Sequence, residues 1–203
     1  MENKKKILAI SDFHGDISLA EKAAQKAKEE EVEFIAIPGD LGHLDEMSEE
    51  VLEALSKSGR RTFLIPGNHD TNTNLDALIQ KFPGVYNIHG KGFFEDDIGI
   101  FGTGYAALGP FANTEKEMLK NLNDSHEGIK NAKKKILLTH EHPLESDSEL
   151  GMAEGSEATR KAIEYFKPDI AIHGHIHEAG GIEEKIRKTR VFNVARKYRI
   201  FEI

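Results

Sequence analysis

Five times along this chain a short apolar run stops at a polar cluster. Ile7-Leu8-Ala9-Ile10 ends at Asp12-Phe13-His14-Gly15, and Phe34-Ile35-Ala36-Ile37 at Gly39-Asp40. Phe63-Leu64-Ile65 ends at Gly67-Asn68-His69-Asp70, Ile136-Leu137-Leu138 at Thr139-His140, and Ile170-Ala171-Ile172 at Gly174-His175-Ile176-His177. Runs this short and this continuously apolar suit strands covered on both faces, which is the condition of strands in a parallel sheet. Helical patterns over residues 18–30, 45–58 and 74–81 separate the early runs, and Ser18 and Glu21 have the spacing of a capping box. The alternation predicts βαβ units and a mostly parallel sheet.

Two of these units repeat a device. Ile37-Pro38-Gly39-Asp40 and Ile65-Pro66-Gly67-Asn68 both end a strand with proline and turn on glycine, delivering Asp40 and Asn68 to equivalent places. The later chain reads as a hairpin over 92–101 around Asp96-Asp97, a glycine- and proline-containing loop over 102–113 and a helix over 114–126. An acidic irregular segment over 141–155, a helix over 156–166 and three final β-runs over 182–186, 190–194 and 198–203 complete it. No linker or low-complexity tract interrupts the 203 residues, so a single domain over 1–203 is expected.

Composition narrows the chemistry. Without cysteine there is no disulfide, no thiolate metal site and no cysteine nucleophile. The apolar run after the basic N-terminus is too short for a signal-peptide core, and no stretch reaches the length of a membrane span. A cytoplasmic location away from membranes is the expectation. The net charge of −8 opposes binding of a long nucleic acid, although Lys185, Arg187, Lys188, Arg190, Arg196, Lys197 and Arg199 make the C-terminal end basic. These charges read as guards of an exposed hairpin edge.

The clusters hold eight of the ten histidines in or beside them, leaving only His89 and His126 elsewhere. In open α/β sheets functional groups gather beyond the carboxyl ends of the strands, where all five clusters lie. Asp12 and His14, like His175 and His177, are two residues apart, which in extended backbone puts both side chains on one face. Carboxylate, imidazole and carboxamide together suit divalent metal ions. Each cluster alone is weak evidence, since a Gly-Asp after a strand is commonly only a turn. Their joint, ordered occurrence points to a metal site.

The ordered set Asp12-x-His14, Gly39-Asp40, Gly67-Asn68-His69-Asp70, His140 and Gly174-His175-x-His177 resembles the signature of the calcineurin-like metallophosphoesterases. The small size and the Gly-His-Ile-His-Glu ending resemble their compact Icc-related prokaryotic branch. The resemblance implies an α/β fold, a four-layer α-β-β-α sandwich with a dinuclear metal site at one edge. It implies that Asp12, His14, Asp40 and His177 hold one divalent ion and that Asp40, Asn68, His140 and His175 hold the other. Asp40 would bridge ions roughly 3.5–4 Å apart, and the nucleophile would be a water shared between them. His69 would be the catalytic acid and, with Asn68, would contact the phosphoryl group. Manganese leads the candidate metals, with iron, zinc, nickel and cobalt as alternatives.

Two positions depart from the pattern. His43 stands where many relatives carry the aspartate that orients the acid histidine, leaving Asp70 or Asp45 to replace it, or His69 to act without one. His140 is followed by His142, a competitor for the same ligand position; His173 reads as a buried structural histidine. The expected activity is metal-dependent hydrolysis of a small phosphate ester such as a cyclic or linear nucleotide, by a phosphodiesterase or phosphatase. The alternatives are a nuclease with the same site and a non-catalytic scaffold. A homodimer is compatible with the sequence.

Overall fold

The structure, a computed structural model, describes residues 4–44 and 48–203. Strands β1 (Lys6–Ala9), β2 (Phe34–Ile37), β3 (Arg61–Leu64) and β4 (Val85–Asn87) run parallel. Strand β11 (Arg199–Glu202) adds antiparallel to β1, giving the order β11-β1-β2-β3-β4. The second sheet contains β5 (Phe93–Glu95), β6 (Ile98–Thr103), β7 (Lys134–Thr139), β8 (Ile170–His173), β9 (Glu183–Ile186) and β10 (Thr189–Asn193). Its order is β5-β6-β7-β8-β10-β9, with a parallel centre and antiparallel edges. One mostly parallel sheet is therefore replaced by two sheets, as the family resemblance implied.

The period of two along each strand explains the layers. In β1 Leu8 points with Ile35, Ile37 and Leu64 toward Ala20, Ala23 and Ala27 of α1 (Ile17–Glu29) and toward Val51 and Leu55 of α2 (Glu49–Ser56). Its neighbours Ile7 and Ala9 face the other way. They join Phe34, Ala36 and Phe63 against Ile136, Leu138, Ile170, Ile172 and Phe192 in the core between the sheets. The outer face of the second sheet presents Phe101, Leu137, Ala171 and Val191 to α4 (Glu115–Glu127) and α5 (Glu157–Phe166). The order of layers is helix, sheet, sheet, helix, with α3 (Asn72–Ile79) joining the first layer through Leu75 and Leu78.

Local chemistry moves several boundaries. The Ser18–Glu21 capping box does not form, because Asp16 caps α1 by accepting from the Leu19 N–H at 3.0 Å and Ser18 lies inside the first turn. A capping box does form at α4, between Thr114 and Glu117. Helix α2 starts after Ser48, whose hydroxyl accepts from Val51 N; residues 45–47 of the expected helix, with Asp45, lie outside the described residues. Strand β4 was not expected: three residues carry too little pattern, and pairing with β3 makes the strand. The β5–β6 hairpin turns on Asp96 and Asp97, both at positive φ, the backbone of a tight type I′-like connection.

The basic C-terminal residues are largely engaged. Arg190 and Arg199 both pair with Glu183 at 2.9 and 2.7 Å, Arg187 reaches Glu164 at 3.5 Å, and Lys197 donates to the Gly180 carbonyl at 2.6 Å. Among the described residues no helix is long and apolar enough to cross a membrane.

Candidate metal centre

The β1–β2–β3 ladder continues past the strands into the polar loops. Asp12 N donates to Gly39 O at 3.2 Å, His14 N to Asp40 O at 3.2 Å and Gly15 N to Leu41 O at 3.0 Å. The repeated proline-glycine turns lie side by side. A Cβ on Gly39 would come within 2.6 Å of Gly67 Cα and 2.7 Å of His140 Nδ1, and one on Gly67 would overlap the Asp40 carboxylate. Glycine is therefore required by close approach, beyond the turn itself. Asp12, His14, Asp40 and His175 all hold positive φ, between 45° and 71°, a left-handed backbone that aspartate and histidine adopt more readily than most residues.

These loops bring the sequence-predicted residues to one edge of the sandwich. Asp40 Oδ2 lies 3.5 Å from His14 Nε2 and 3.5 Å from His140 Nε2, so one carboxylate oxygen stands between two imidazoles. His14 Nε2 is 3.2 Å from His177 Nε2, which is 3.2 Å from Asp12 Oδ1. Asn68 Oδ1 receives His140 Nε2 at 2.8 Å and His175 Nδ1 at 3.1 Å. Asp12, His14 and His177 each offer an atom within 4.8 Å of the others, as do Asp12, Asp40 and His140.

The donor set fits a cation. His140 Nδ1 lies 2.7 Å from the Pro38 carbonyl, an acceptor only, so Nδ1 carries a proton and Nε2 is the atom that faces Asn68 Oδ1 and Asp40 Oδ2. Burial lowers the His140 pKa, but the Asp40 and Asp12 charges overcome it and raise it, which favours a proton on Nε2 where a cation would otherwise stand. Acceptors that face one another this closely need protons or a positive ion between them. The electrostatics say the same. Burial raises the Asp40 carboxyl to about 7, with the Asp12 and Asp70 charges adding to the rise and His140 opposing it. Burial also pushes Asp12 up, but His177, His140 and Ser11 overcome it and hold that carboxyl at about 2. Burial lowers His14 to about 4 and His175 to about 3, leaving neutral rings with lone pairs to offer.

A second layer fixes these groups. Asp70 is fully buried, and its carboxylate accepts from Asp40 N at 2.7 Å, Gly67 N at 2.9 Å, and Leu41 N and Gly42 N at 3.3 Å each. Both oxygens are engaged in joining the two glycine turns, so Asp70 does not orient His69. Instead the His69 ring stacks on His43, centroids 5.0 Å apart, and meets His14 edge-on at 5.0 Å. Burial, then His43, lowers the pKa of His69, which favours the neutral ring. Asp40 Oδ1 accepts from His69 N at 2.9 Å, and His175 N lies 3.2 Å from both oxygens of Asp12.

The structure separates the two competing histidines. His140 joins the Asp12–Asp40 group, whereas His142 Nε2 donates to Ala153 O at 3.3 Å and its ring packs 6.1 Å from His173. His173 is buried between Ser148 and its own strand end. Sequence reasoning missed three supports. Arg196 donates to the carbonyls of Asp12 and Phe13 at 3.2 and 3.1 Å and pairs with Asp16 at 2.7 Å. Glu141, buried beside His140, accepts from Ala107 N and so ties the mid-chain loop to the strand end. That loop also seats on the site: Phe111 N donates to Asn68 O at 3.0 Å, and Gly109 packs directly against the Asn68 amide. Only the position of Glu141 directly after His140 hinted at its place.

Comparison with curated proteins gives no significant sequence match. Among solved structures, the protein TT1561 of Thermus thermophilus superposes with a TM-score of 0.77 at 20% identity, covering 98% of this chain and 99% of that one. An archaeal protein described as a novel phosphodiesterase gives 0.55 at 18% identity, covering 98% and 99%. A dimetal phosphatase from Danio rerio gives 0.62 at 12% identity, covering 93% and 86%. At these identities the likeness is one of fold. The family model for calcineurin-like phosphoesterases matches residues 5–179, and the chain therefore belongs to that family of metal-dependent phosphoester hydrolases.

Proposed function

We propose that the protein is a two-metal phosphodiesterase or phosphatase acting on a small phosphate ester such as a cyclic or linear nucleotide. The observation that carries this reading is the placement of Asp40 Oδ2 at 3.5 Å from both His14 Nε2 and His140 Nε2, the position of a bridging ligand. Asp12, His14, Asp40 and His177 would hold one ion, and Asp40, Asn68, His140 and His175 the other. When bound, the pair would supply Lewis-acid charge to the phosphoryl oxygens and activate a water. Mixed nitrogen and oxygen donors suit manganese, with iron, zinc, nickel or cobalt as alternatives.

The chain's own residues supply the rest. Asp12 and Asp40 hold opposite proton affinities at adjacent places, so Asp12 stays a carboxylate while Asp40 sheds its proton as cations arrive. His69 is anchored through its N–H to Asp40 Oδ1, which sets its ring at the mouth of the site. From there a ring N–H donates to a phosphoryl oxygen or to the leaving oxygen. Asn68 is pinned from behind by Phe111 N and Gly109, so its amide meets substrate from a fixed position.

The surroundings of the site favour a small substrate. The loops beside the site carry few basic or aromatic groups, and the C-terminal arginines are tied to Glu183, Glu164 and Asp16. That arrangement weakens the support for a nuclease, which needs free cations along a strand. The test is a turnover comparison of the manganese-loaded protein on cyclic nucleotides, mononucleotides and single-stranded oligonucleotides. Hydrolysis confined to the small esters supports the proposal. Preferred hydrolysis of oligonucleotides, with steep salt dependence, overturns it.

A further inference from the structure

A cleft of about 550 Å³ lies between the loop after β6 and helix α4, a volume suited to a small molecule. The loop lines it with Tyr105 and Phe111, α4 adds Asn121, and His89 comes from the connection between β4 and β5. The same loop touches the metal centre, because Phe111 N donates to Asn68 O at 3.0 Å and Gly109 packs against the Asn68 amide. The charged groups along the cleft are engaged: Glu117 caps α4 with Thr114, and Lys120 pairs with Asp124 at 2.6 Å. What remains to a ligand is aromatic surface and neutral polar groups. Gly104 N donates to His89 Nδ1 at 2.8 Å, and burial lowers this histidine to about 4, so its neutral ring carries the proton on Nε2. As the Asn121 amide stands, that Nε2 faces Asn121 Nδ2 at 3.4 Å, donor against donor, and the pair offers N–H groups to an acceptor from outside.

We propose that this cleft binds a planar heteroaromatic ring of the nucleobase class, against Tyr105 and Phe111 and with its polar edge on Asn121 and His89. Aromatic side chains stack on the face of any base, and an amide carries a donor and an acceptor in one plane, which matches the edge of a base. A phosphate is poorly served here, since Lys120 is held by Asp124. The proposal rests on the phosphoesterase reading only for where the ring comes from. One source is the substrate itself, with its phosphate at Asn68 and its base in the cleft. The other is a separate nucleoside, whose arrival shifts the loop and with it Asn68.

The test is calorimetric titration of the manganese-loaded full chain with adenosine, with ribose as the control that has no base. Two variants alter the cleft without touching the metal centre: Asn121→Leu removes the amide, and Ala112→Leu narrows the cleft from an exposed position. Adenosine is expected to bind wild type where ribose does not, and to bind both variants about tenfold more weakly, the scale of one or two hydrogen bonds. Both variants should keep the wild-type rate on bis-p-nitrophenyl phosphate. Adenosine that binds no better than ribose, or that binds both variants as tightly as wild type, overturns the proposal. The source of the ring is read from inhibition. Competition with a cyclic nucleotide, with bis-p-nitrophenyl phosphate hydrolysis unaffected, assigns the ring to the substrate; a change in that hydrolysis assigns it to a separate nucleoside, and either result supports the cleft as a base site. A chain that hydrolyses no phosphate ester would strike the phosphoesterase reading, while the adenosine titration still decides the cleft.

Discussion

Replacing Asp70 by asparagine separates two roles for a residue adjacent to the proposed acid histidine. In the structure its carboxylate binds four backbone N–H groups and no part of the His69 ring. An asparagine can set its single oxygen at the place of Oδ2, keeping Asp40 N, Leu41 N and Gly67 N as partners, but those bonds become neutral. Its NH₂ then faces Gly42 N, donor against donor. A bond to a charged acceptor contributes about 1.5–3 kcal/mol and a neutral one about 0.5–1.5, so three such exchanges cost about 3 kcal/mol, less the relief of no longer burying a carboxylate whose pKa desolvation raises. The repulsion at Gly42 adds to that. Urea unfolding of the metal-free protein, with the denaturant slope unchanged, reads this loss. The same substitution should weaken metal binding, because Asp40 hangs from the turn that Asp70 closes. A variant within about 0.5 kcal/mol of wild type, a loss typical of an ordinary surface change, would show that Asp70 does not hold the two turns together. So would unchanged stability with an altered pH profile of turnover, the signature of a residue that orients His69.

The remaining predictions concern single groups. His69→Ala should keep its metal content and slow turnover by about 10²–10⁴-fold on esters with poor leaving groups, less on p-nitrophenyl esters, the range for removing a general acid; loss of metal would contradict the assigned role. His140→Ala should bind one metal fewer than wild type by mass spectrometry, whereas His142→Ala should bind the wild-type number. Glu141 is buried and held near 7, chiefly by desolvation, above the unfolded value of 4.5. Its folded pKa is raised, so stability is full below pH 4.5 and is lost as pH climbs through 7, by roughly 3 kcal/mol at 1.36 kcal/mol per unit. Glu141→Gln, still able to accept from Ala107, should flatten that slope and be the more stable protein at pH 8; parallel stability curves for the two proteins would contradict the account.

The parts of the fold that local pattern could reveal were those with strong period and hard stops. Ile7–Ile10, Phe34–Ile37 and Phe63–Ile65 are apolar throughout because alternate residues meet helices on one side and the second sheet on the other. That same continuity hid the split into two sheets, since a strand sandwiched by a sheet reads like one sandwiched by helices. β4 was invisible because Tyr86 is exposed and Val85 only half-covered. At the site, the ligand-type residues were legible because strand ends gather them by topology. Their supports were not, because they act through backbone groups: Asp70 through four N–H donors, Arg196 through two carbonyls, Glu141 through Ala107. A side chain bonded to distant backbone leaves no spacing rule in the sequence. His43 was visible as a departure at one position, but only the folded loops show that it faces His14 and His69.

The proposed chemistry depends on a pair of divalent ions joined through Asp40. Its most direct test strips the protein of metal, reloads it with Mn²⁺, and measures both metal content and hydrolysis of bis-p-nitrophenyl phosphate, with Asp40→Asn in parallel. Two ions per wild-type chain are expected, with turnover that vanishes on stripping and returns on reloading, and a variant that loses most activity and binds both ions weakly. Near-normal turnover in Asp40→Asn, or a wild-type chain that binds no metal, would contradict that chemistry.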